Sequence, residues 1–249
     1  MSGMSDTAIP AATLVVVRDR PAGAPELLMV QRTATMAFAA GAMVFPGGRI
    51  DAADRDQAGD DELGAARVAA IRETLEESGI AVGLSPQPDP AVAAELQRRL
   101  HAGAGFAALL AEHRLALDPD ALTFFTRWRP SFRHARIFDT RFFLAAVPPG
   151  DWTPLAQEGE CADALWITAE AMLDRIGRGG AQAIFPTVRN LERLARFASH
   201  EEAIRDTLAH PAELVSPWVE ARDGVDHVCI PSGIGYPVTS EPLSSAVRA

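Results

Sequence analysis

Two runs of apolar and β-branched residues, Thr13 to Val17 and Leu27 to Gln31, flank the turn-rich segment Pro21-Ala-Gly-Ala-Pro25 and predict a two-stranded hairpin. Ala42 to Phe45 is a further short apolar stretch, closed by Pro46-Gly47-Gly48. A polar, Asp-rich loop is expected from Asp51 to Asp61, and a helical pattern begins near Glu62. That helix should end at Ser78-Gly79, glycine suiting the left-handed position past a helix end, with Ile80 to Val82 leaving as a strand. Between 86 and 120 the chain turns to Ala, Leu and paired charges broken by Pro and Gly. This reads as an insertion of two short helices, Ala91 to Leu100 and Gly105 to His113. Leu122 to Trp128, Ile137 to Val147 and Ala164 to Ile167 return to strand composition, with Thr168 as the N-cap of a following helix. Phe185 to Phe197 and Glu201 to Leu208 are expected to close the fold as helices. No repeat or linker divides the chain, so residues 1–249 are expected to form a single α+β domain. Its core would run from about 11 to 170, with the insertion at about 86–120 and a C-terminal helical extension at about 183–212.

Composition narrows the functions available. With 249 residues, 48% of them apolar, the chain can bury a substantial core. Its 33 acidic against 23 basic residues, a net charge of −10, disfavour nucleic acid as a partner. Every basic residue is Arg. The absence of Lys removes the phosphate-binding lysine of a P-loop, a Schiff base and a kinase ATP site. Cys161 and Cys229 have no partners at metal-ligand spacing, so neither a zinc site nor a disulfide framework is expected. No basic leader and no apolar stretch near the ~20 residues of a membrane span are present, so a soluble, cytoplasmic protein with no membrane partner is expected.

The chemistry concentrates in Arg72-Glu73-Thr74-Leu75-Glu76-Glu77-Ser78-Gly79-Ile80. At helical spacing Glu73, Glu76 and Glu77 share one exposed face, while Val68, Ile71 and Leu75 take the opposite, packing face. Like charges at these spacings cost a few tenths of a kcal/mol each, and the negative end of the helix dipole adds ~0.3–1 kcal/mol per exposed carboxylate. A hard divalent cation would explain the arrangement, because Mg²⁺ or Mn²⁺ selects carboxylate oxygens and completes its shell with water and phosphate. The alternative is a solvated helix face on which Arg72 pairs with Glu76. Upstream, Phe45-Pro46-Gly47-Gly48 would let backbone approach a metal or diphosphate closely.

Together these segments resemble the Nudix box, GX5EX7REUXEEXGU, where U is a bulky aliphatic residue. Three departures stand out: the loop after Gly48 is about ten residues too long, Gly64 occupies the place of the first Glu, and Thr74 replaces an aliphatic residue. Glu62 is the substitute considered for the missing Glu. Leu27-Leu28, Gln31-Arg32, Gly41 through Asp54, and Phe138-Asp139-Thr140-Arg141-Phe142-Phe143-Leu144 further resemble the coenzyme A diphosphatase branch, notably its Nudix motif 19-like members. Those relatives also carry an extended loop inside the box. The final Val247-Arg248-Ala249 is not a peroxisomal targeting tripeptide.

The resemblance implies the Nudix fold, a mixed β-sheet sandwiched between helices, and metal-dependent hydrolysis of a nucleoside diphosphate derivative. It implies Glu73 and Glu77 as direct ligands of Mg²⁺ or Mn²⁺, Glu76 as a further ligand or water-orienting carboxylate, and the Gly48 carbonyl as an additional donor. Arg72 would hold a carboxylate in place, and Glu158 or Glu160 would supply a later catalytic carboxylate. Arg32, Gly47, Arg127 and Arg141 are the expected substrate contacts, the last two from a cluster that also contains Arg129, Arg133 and Arg136. Phe125, Trp128 or Phe132 could stack an adenine, although core packing is the more ordinary role of such residues, and a structural role is preferred for His134. The expected partner is coenzyme A or acyl-coenzyme A. ADP-ribose, a dinucleotide or a nucleotide sugar, or a ligand-binding module of weak activity, are the alternatives, and a homodimer is compatible with all of them.

Overall fold

The computed structural model describes residues 8–34, 39–130, 137–157, 159 and 161–246. Its central element is β1 (Ile9–Arg18), in which Ala12, Leu14 and Val16 point to one face and Val15 and Val17 to the other, all buried. A strand buried on both faces must lie between two layers. It runs antiparallel to β2 (Glu26–Arg32) through the expected hairpin, Val17 opposite Leu27. Towards its other end β1 instead takes β4 (Gly47–Arg49), because the chain folds back after β3 (Met43–Val44), itself paired with β2. The Gly-rich segment expected as a turn is thus also a short strand.

Helix α1 (Ala52–Ala58) then occupies most of the segment expected to be loop. Next comes α2 (Glu62–Ser78), as predicted: the Asp61 carboxylate accepts from the Leu63 N–H at 2.9 Å, Val68, Ile71 and Leu75 are buried, and Gly79 stops the helix at φ 71°. Ile80 to Val82 do not form the expected strand. They are buried against the core and pair with no strand among the described residues, and pairing starts only at β5 (Leu84–Ser85), whose partner is β6 (Ala116–Leu117). Between these lie two helices where the segment 86–120 is expected to hold them, α3 (Pro90–His101), with Asp89 as cap and Pro90 at its start, and α4 (Phe106–Glu112).

The chain returns to the main sheet with β7 (Thr123–Trp128), β8 (Phe138–Ala146) and β9 (Cys161–Thr168). Thr168 caps α5 (Ala169–Gly177) as expected, and α6 (Phe185–Leu194) and α7 (His200–Ala209) follow. Beyond them the structure holds elements not anticipated: β10 (Leu214–Val215), which adds to β7, then a separate sheet of β11 (Trp218–Arg222), β12 (Val225–Cys229) and β13 (Ser240–Pro242), and the short α8 (Leu243–Ala246). The β11–β12 turn is Asp223-Gly224, both with positive φ, 52° and 79°, a hairpin signal present in the sequence but not read.

The main sheet runs β10-β7-β8-β1-β2-β3, with β4 joined to β1 and β9 to β2; β1 and β8 are parallel, so the sheet is mixed. On one face Ala12, Leu14 and Val16 pack with α2, α3 and α4. On the other, Val15, Val17 and Met29 pack with α5 and α6, and Val228, Ile230 and Tyr236 of the C-terminal segment join that core. Two helical layers over one mixed sheet place α2 across the end of β1 where β4 is added.

Candidate active site

Consecutive glycines bring backbone against the carboxylate helix. Gly47 donates its N–H to Oε2 of Glu77 at 3.0 Å, and a methyl group on Gly47 would collide with backbone atoms of Ala12 and Thr13. A methyl group on Gly48 would instead enter the space of the Glu73 carboxylate. Pro-Gly-Gly therefore does what close approach requires: one glycine seats the strand on β1, the next leaves room for Glu73. Glu77, expected on the exposed face, is 3% exposed and accepts this Gly47 N–H.

Arg72 is the hub of the helix face. Its Nε and Nη2 donate to the two carboxylate oxygens of Asp54, each at 2.9 Å. Its Nη1 donates to Glu73 Oε1 at 2.9 Å and to Glu76 Oε2 at 3.4 Å, and Nη2 reaches the Arg49 carbonyl at 3.1 Å. Burial acts to lower its pKa, but the bonds and charges of Asp54 and Glu73 prevail and raise it, so Arg72 stays cationic. The expected Arg72–Glu76 pair is present as one spoke of this network, and the guanidinium offsets the repulsion among the carboxylates.

Asp54 was not anticipated, and it corrects the reading of the box. It is wholly buried, and it also accepts the Asp51 N–H at 2.9 Å. Counted forward from Gly48 it stands after five residues, where the motif places its first acid, with Asp for Glu. The extra residues fall after this acid, in α1 and the turn to α2, rather than before it. Neither Gly64, which stands eight residues before Arg72, nor Glu62, its expected substitute, takes that place. Gly64 lies in α2 beside Asp61, while Glu62 is exposed, 3.9 Å from Arg55 and 3.7 Å from Arg141. The third departure is benign: Thr74 is buried, and its hydroxyl donates to the Ala70 carbonyl at 2.7 Å, leaving an apolar face to the core.

A second feature follows from strand register. Ala12 is opposite Gly48 in β4 and opposite Arg141 in β8, and Arg141 is opposite Arg127 in β7. Residues directly opposed on neighbouring strands share a face, so Gly48, Ala12, Arg141 and Arg127 form one row on the α2 side of the sheet. At ~4.8 Å per strand, the Arg141 backbone stands about 10 Å from Gly48. Arg127 is held by Asp139, with Nε and Nη2 donating to its two oxygens at 2.7 and 2.6 Å. Those bonds hold the Asp139 carboxyl below its ordinary range, against the opposing effect of burial. Arg141 makes the 3.7 Å ion pair with Glu62, longer than a hydrogen bond.

The other expected site residues divide. Arg32 ends β2 opposite Cys161 at a bulge, and Arg129 lies just past β7 with its N–H bonded to the Val215 carbonyl at 3.0 Å. Phe125 and Trp128 are not base platforms: both are buried in the core, and the Trp128 indole donates to the Tyr236 hydroxyl at 2.9 Å. Glu158, Glu160, Phe132, Arg133, His134 and Arg136 lie outside the described residues. Among the described residues, no group of three or more His, Cys, Asp or Glu side chains already encloses a metal position, and no helix is long and apolar enough to cross a membrane.

No protein-family model matches the chain. Its structure is similar to that of a Nudix hydrolase from Alicyclobacillus acidocaldarius, with 32% sequence identity and a TM-score of 0.71 over 81% of this chain and 97% of that one. The Nudix domain of Shewanella oneidensis NrtR, complexed with ADP ribose, matches at 13% identity and a TM-score of 0.46 over 81% and 89% of the two chains. An Ap4A hydrolase of C. elegans matches at 18% and 0.38 over 80% and 93%. The first of these relationships shows that the chain belongs to the Nudix hydrolase family, enzymes that hydrolyse phosphorus-containing acid anhydrides.

Proposed function

We propose that this hydrolase cleaves the diphosphate of coenzyme A or acyl-coenzyme A, yielding adenosine 3′,5′-bisphosphate and (acyl-)phosphopantetheine, with residues 1–249 acting as a single Nudix domain. The observation that carries the reading is the row from Gly48 to Arg141 beside Glu73 and Glu77. It sets the Gly48 backbone, beside carboxylates suited to a cation on a diphosphate, about 10 Å from the backbone of Arg141, whose guanidinium suits a further phosphate. The resemblance of Phe138 to Leu144, which includes Arg141, to the coenzyme A branch supports the same substrate.

The donor set fits Mg²⁺ or Mn²⁺. Three carboxylates project from one helix, and Gly48, lacking a side chain, keeps backbone open against Glu73. Glu73 and Glu77 would hold the ion, with Glu76 and the Gly48 carbonyl as further donors. The bound ion would supply Lewis acidity and neutralise charge on the diphosphate. Hydrolysis adds water across the P–O–P bridge: one P–O bond forms, the bridging one breaks, and two phosphomonoesters result. Arg72 fixes the Glu73 and Glu76 carboxylates in place through its Nη1. Glu158 or Glu160 would accept the proton of the attacking water. Gly47 and Arg32 would border the substrate, and Arg141 rather than Arg127, whose fork is engaged by Asp139, would meet the 3′-phosphate.

The test is incubation of purified protein with Mg²⁺ or Mn²⁺ and coenzyme A, acyl-coenzyme A, ADP-ribose, a dinucleotide and a nucleotide sugar, with products identified by mass. Preferential formation of the bisphosphate from coenzyme A supports the proposal. Preference for another member of the set would move the substrate and retain the chemistry.

A further inference from the structure

The last turn of α2 has an electrostatic problem that its own sequence does not solve. Glu73, Glu76 and Glu77 sit where the helix dipole is negative, and this turn contains no basic residue. Its carbonyls must also find donors outside the helix. The insertion supplies two for the Glu76 carbonyl. Gln97 of α3, 6% exposed, points its Nε2 at the carbonyls of Glu76, 3.0 Å, and Leu155, 2.9 Å. His101, one turn further along α3, places Nε2 2.8 Å from the same Glu76 carbonyl; since a carbonyl only accepts, this nitrogen carries the proton. The Leu155 N–H in turn donates to the Ser78 carbonyl at 2.8 Å. A methyl group on Gly79 would stand 2.9 Å from Gln97 Oε1, so the helix end and the amide are packed in direct contact.

We infer that Gln97 and His101 are positioning residues for the catalytic helix, and that the insertion braces the carboxylates through the Glu76 carbonyl. The buried amide joins three segments remote in sequence: α3, the end of α2, and the strand of chain through Leu155 that leads towards Glu158 and Glu160. Donors aimed at the helix end make its negative potential tolerable and fix the peptide between Glu76 and Glu77, hence the direction of both side chains. Neither residue touches the substrate row, so the brace acts on turnover and cation binding rather than on substrate affinity.

This inference rests on the metal-dependent reading, and Glu77→Gln separates the two. Gln97→Leu keeps the side chain's bulk and deletes both donated bonds; His101→Ala deletes one bond at an exposed position, where folding is not at stake. The readouts are kcat and KM on the substrate identified from the panel, and Mn²⁺ affinity of the substrate-free enzyme by titration. Loss of one neutral hydrogen bond predicts a fall of ~2- to 10-fold in kcat for His101→Ala, and a larger fall for the Gln97→Leu, His101→Ala double variant. Mn²⁺ affinity should weaken in parallel, with KM changed less than twofold. If Glu77→Gln abolishes turnover while both kcat and Mn²⁺ affinity of His101→Ala and of Gln97→Leu stay within twofold of wild type, the brace is purely structural and the inference is wrong. A Glu77→Gln enzyme with full activity would instead overturn the metal site itself.

Discussion

Replacing Asp54 by Ala tests whether this residue, and not Glu62, completes the box. The substitution removes both acceptors of the Arg72 fork and leaves a guanidinium whose side chain is only 12% exposed without its main counter-charge. Breaking a buried pair by deleting one partner typically costs ~3–5 kcal/mol. Arg72 retains Glu73, Glu76 and the Arg49 carbonyl, so a cost shifted below that range, about 2–4 kcal/mol, applies. For a chain of this size about 1 kcal/mol corresponds to ~2–4 °C, which places the expected drop in Tm at roughly 4–16 °C. Asp54→Asn should be no milder, because it turns an amide N–H towards the guanidinium. Glu62→Gln is the control: this exposed residue meets Arg55 and Arg141 only at 3.9 and 3.7 Å, and its loss should stay within about 0.5 kcal/mol. Thermal and urea unfolding of the three variants measure this directly. An Asp54→Ala protein as stable as Glu62→Gln would refute the placement of the acid, and with it the account of where the extra residues enter.

Other expectations follow from the same geometry. Gly48→Ala should lower kcat by tenfold or more with little change in Tm, because the added methyl displaces the Glu73 carboxylate, whereas Gly47→Ala meets backbone and should mainly destabilise; steady-state kinetics with thermal melts distinguish them. Glu77→Gln should lower turnover by orders of magnitude while the protein stays folded by circular dichroism; near-normal activity would remove it from the proposed site. Arg141→Ala should raise KM more for coenzyme A than for its 3′-dephospho form, and an equal effect on both would exclude a role in reading that phosphate. Arg127 holds the Asp139 carboxyl below the ordinary value of ~3.9, so their pairing stabilises the fold above that pH and the contribution fades as pH falls through the lowered value. The stability gap between wild type and Arg127→Ala should therefore be fully present at neutral pH and shrink below about pH 4, as urea midpoints across pH will reveal.

Much of the fold was legible because its elements announce themselves locally. The hairpin, the carboxylate helix with its Gly79 stop, the two insertion helices and the Thr168 cap all rest on short-range patterns, and each lies where expected within a few residues. Misreadings arose where tertiary context overrides local composition. Asp51 to Asp61 looks like loop until Asp54 is seen buried and bonded to Arg72, and Ile80 to Val82 looks like strand although it pairs with no strand among the described residues. The C-terminal sheet was signalled by Asp223-Gly224 but obscured by the proline- and glycine-rich composition around it. At the site, the residue types of the helix pointed to its chemistry, while the row joining Gly48 to Arg141 exists only through strand register. No periodicity along the chain encodes a neighbour two strands away.

The position of α1 has a consequence for how such a motif can vary. Asp54 and Arg72 are eighteen positions apart instead of the eight that the motif's spacing implies, yet they meet at 2.9 Å. Closing a loop of roughly twice the length costs only ~0.6 kcal/mol of chain entropy, far less than leaving either buried partner without the other, so ten residues can enter between the partners at little expense. What is constrained is the meeting of acid and guanidinium in space, and the count of residues between them is a weak variable that insertions are free to change.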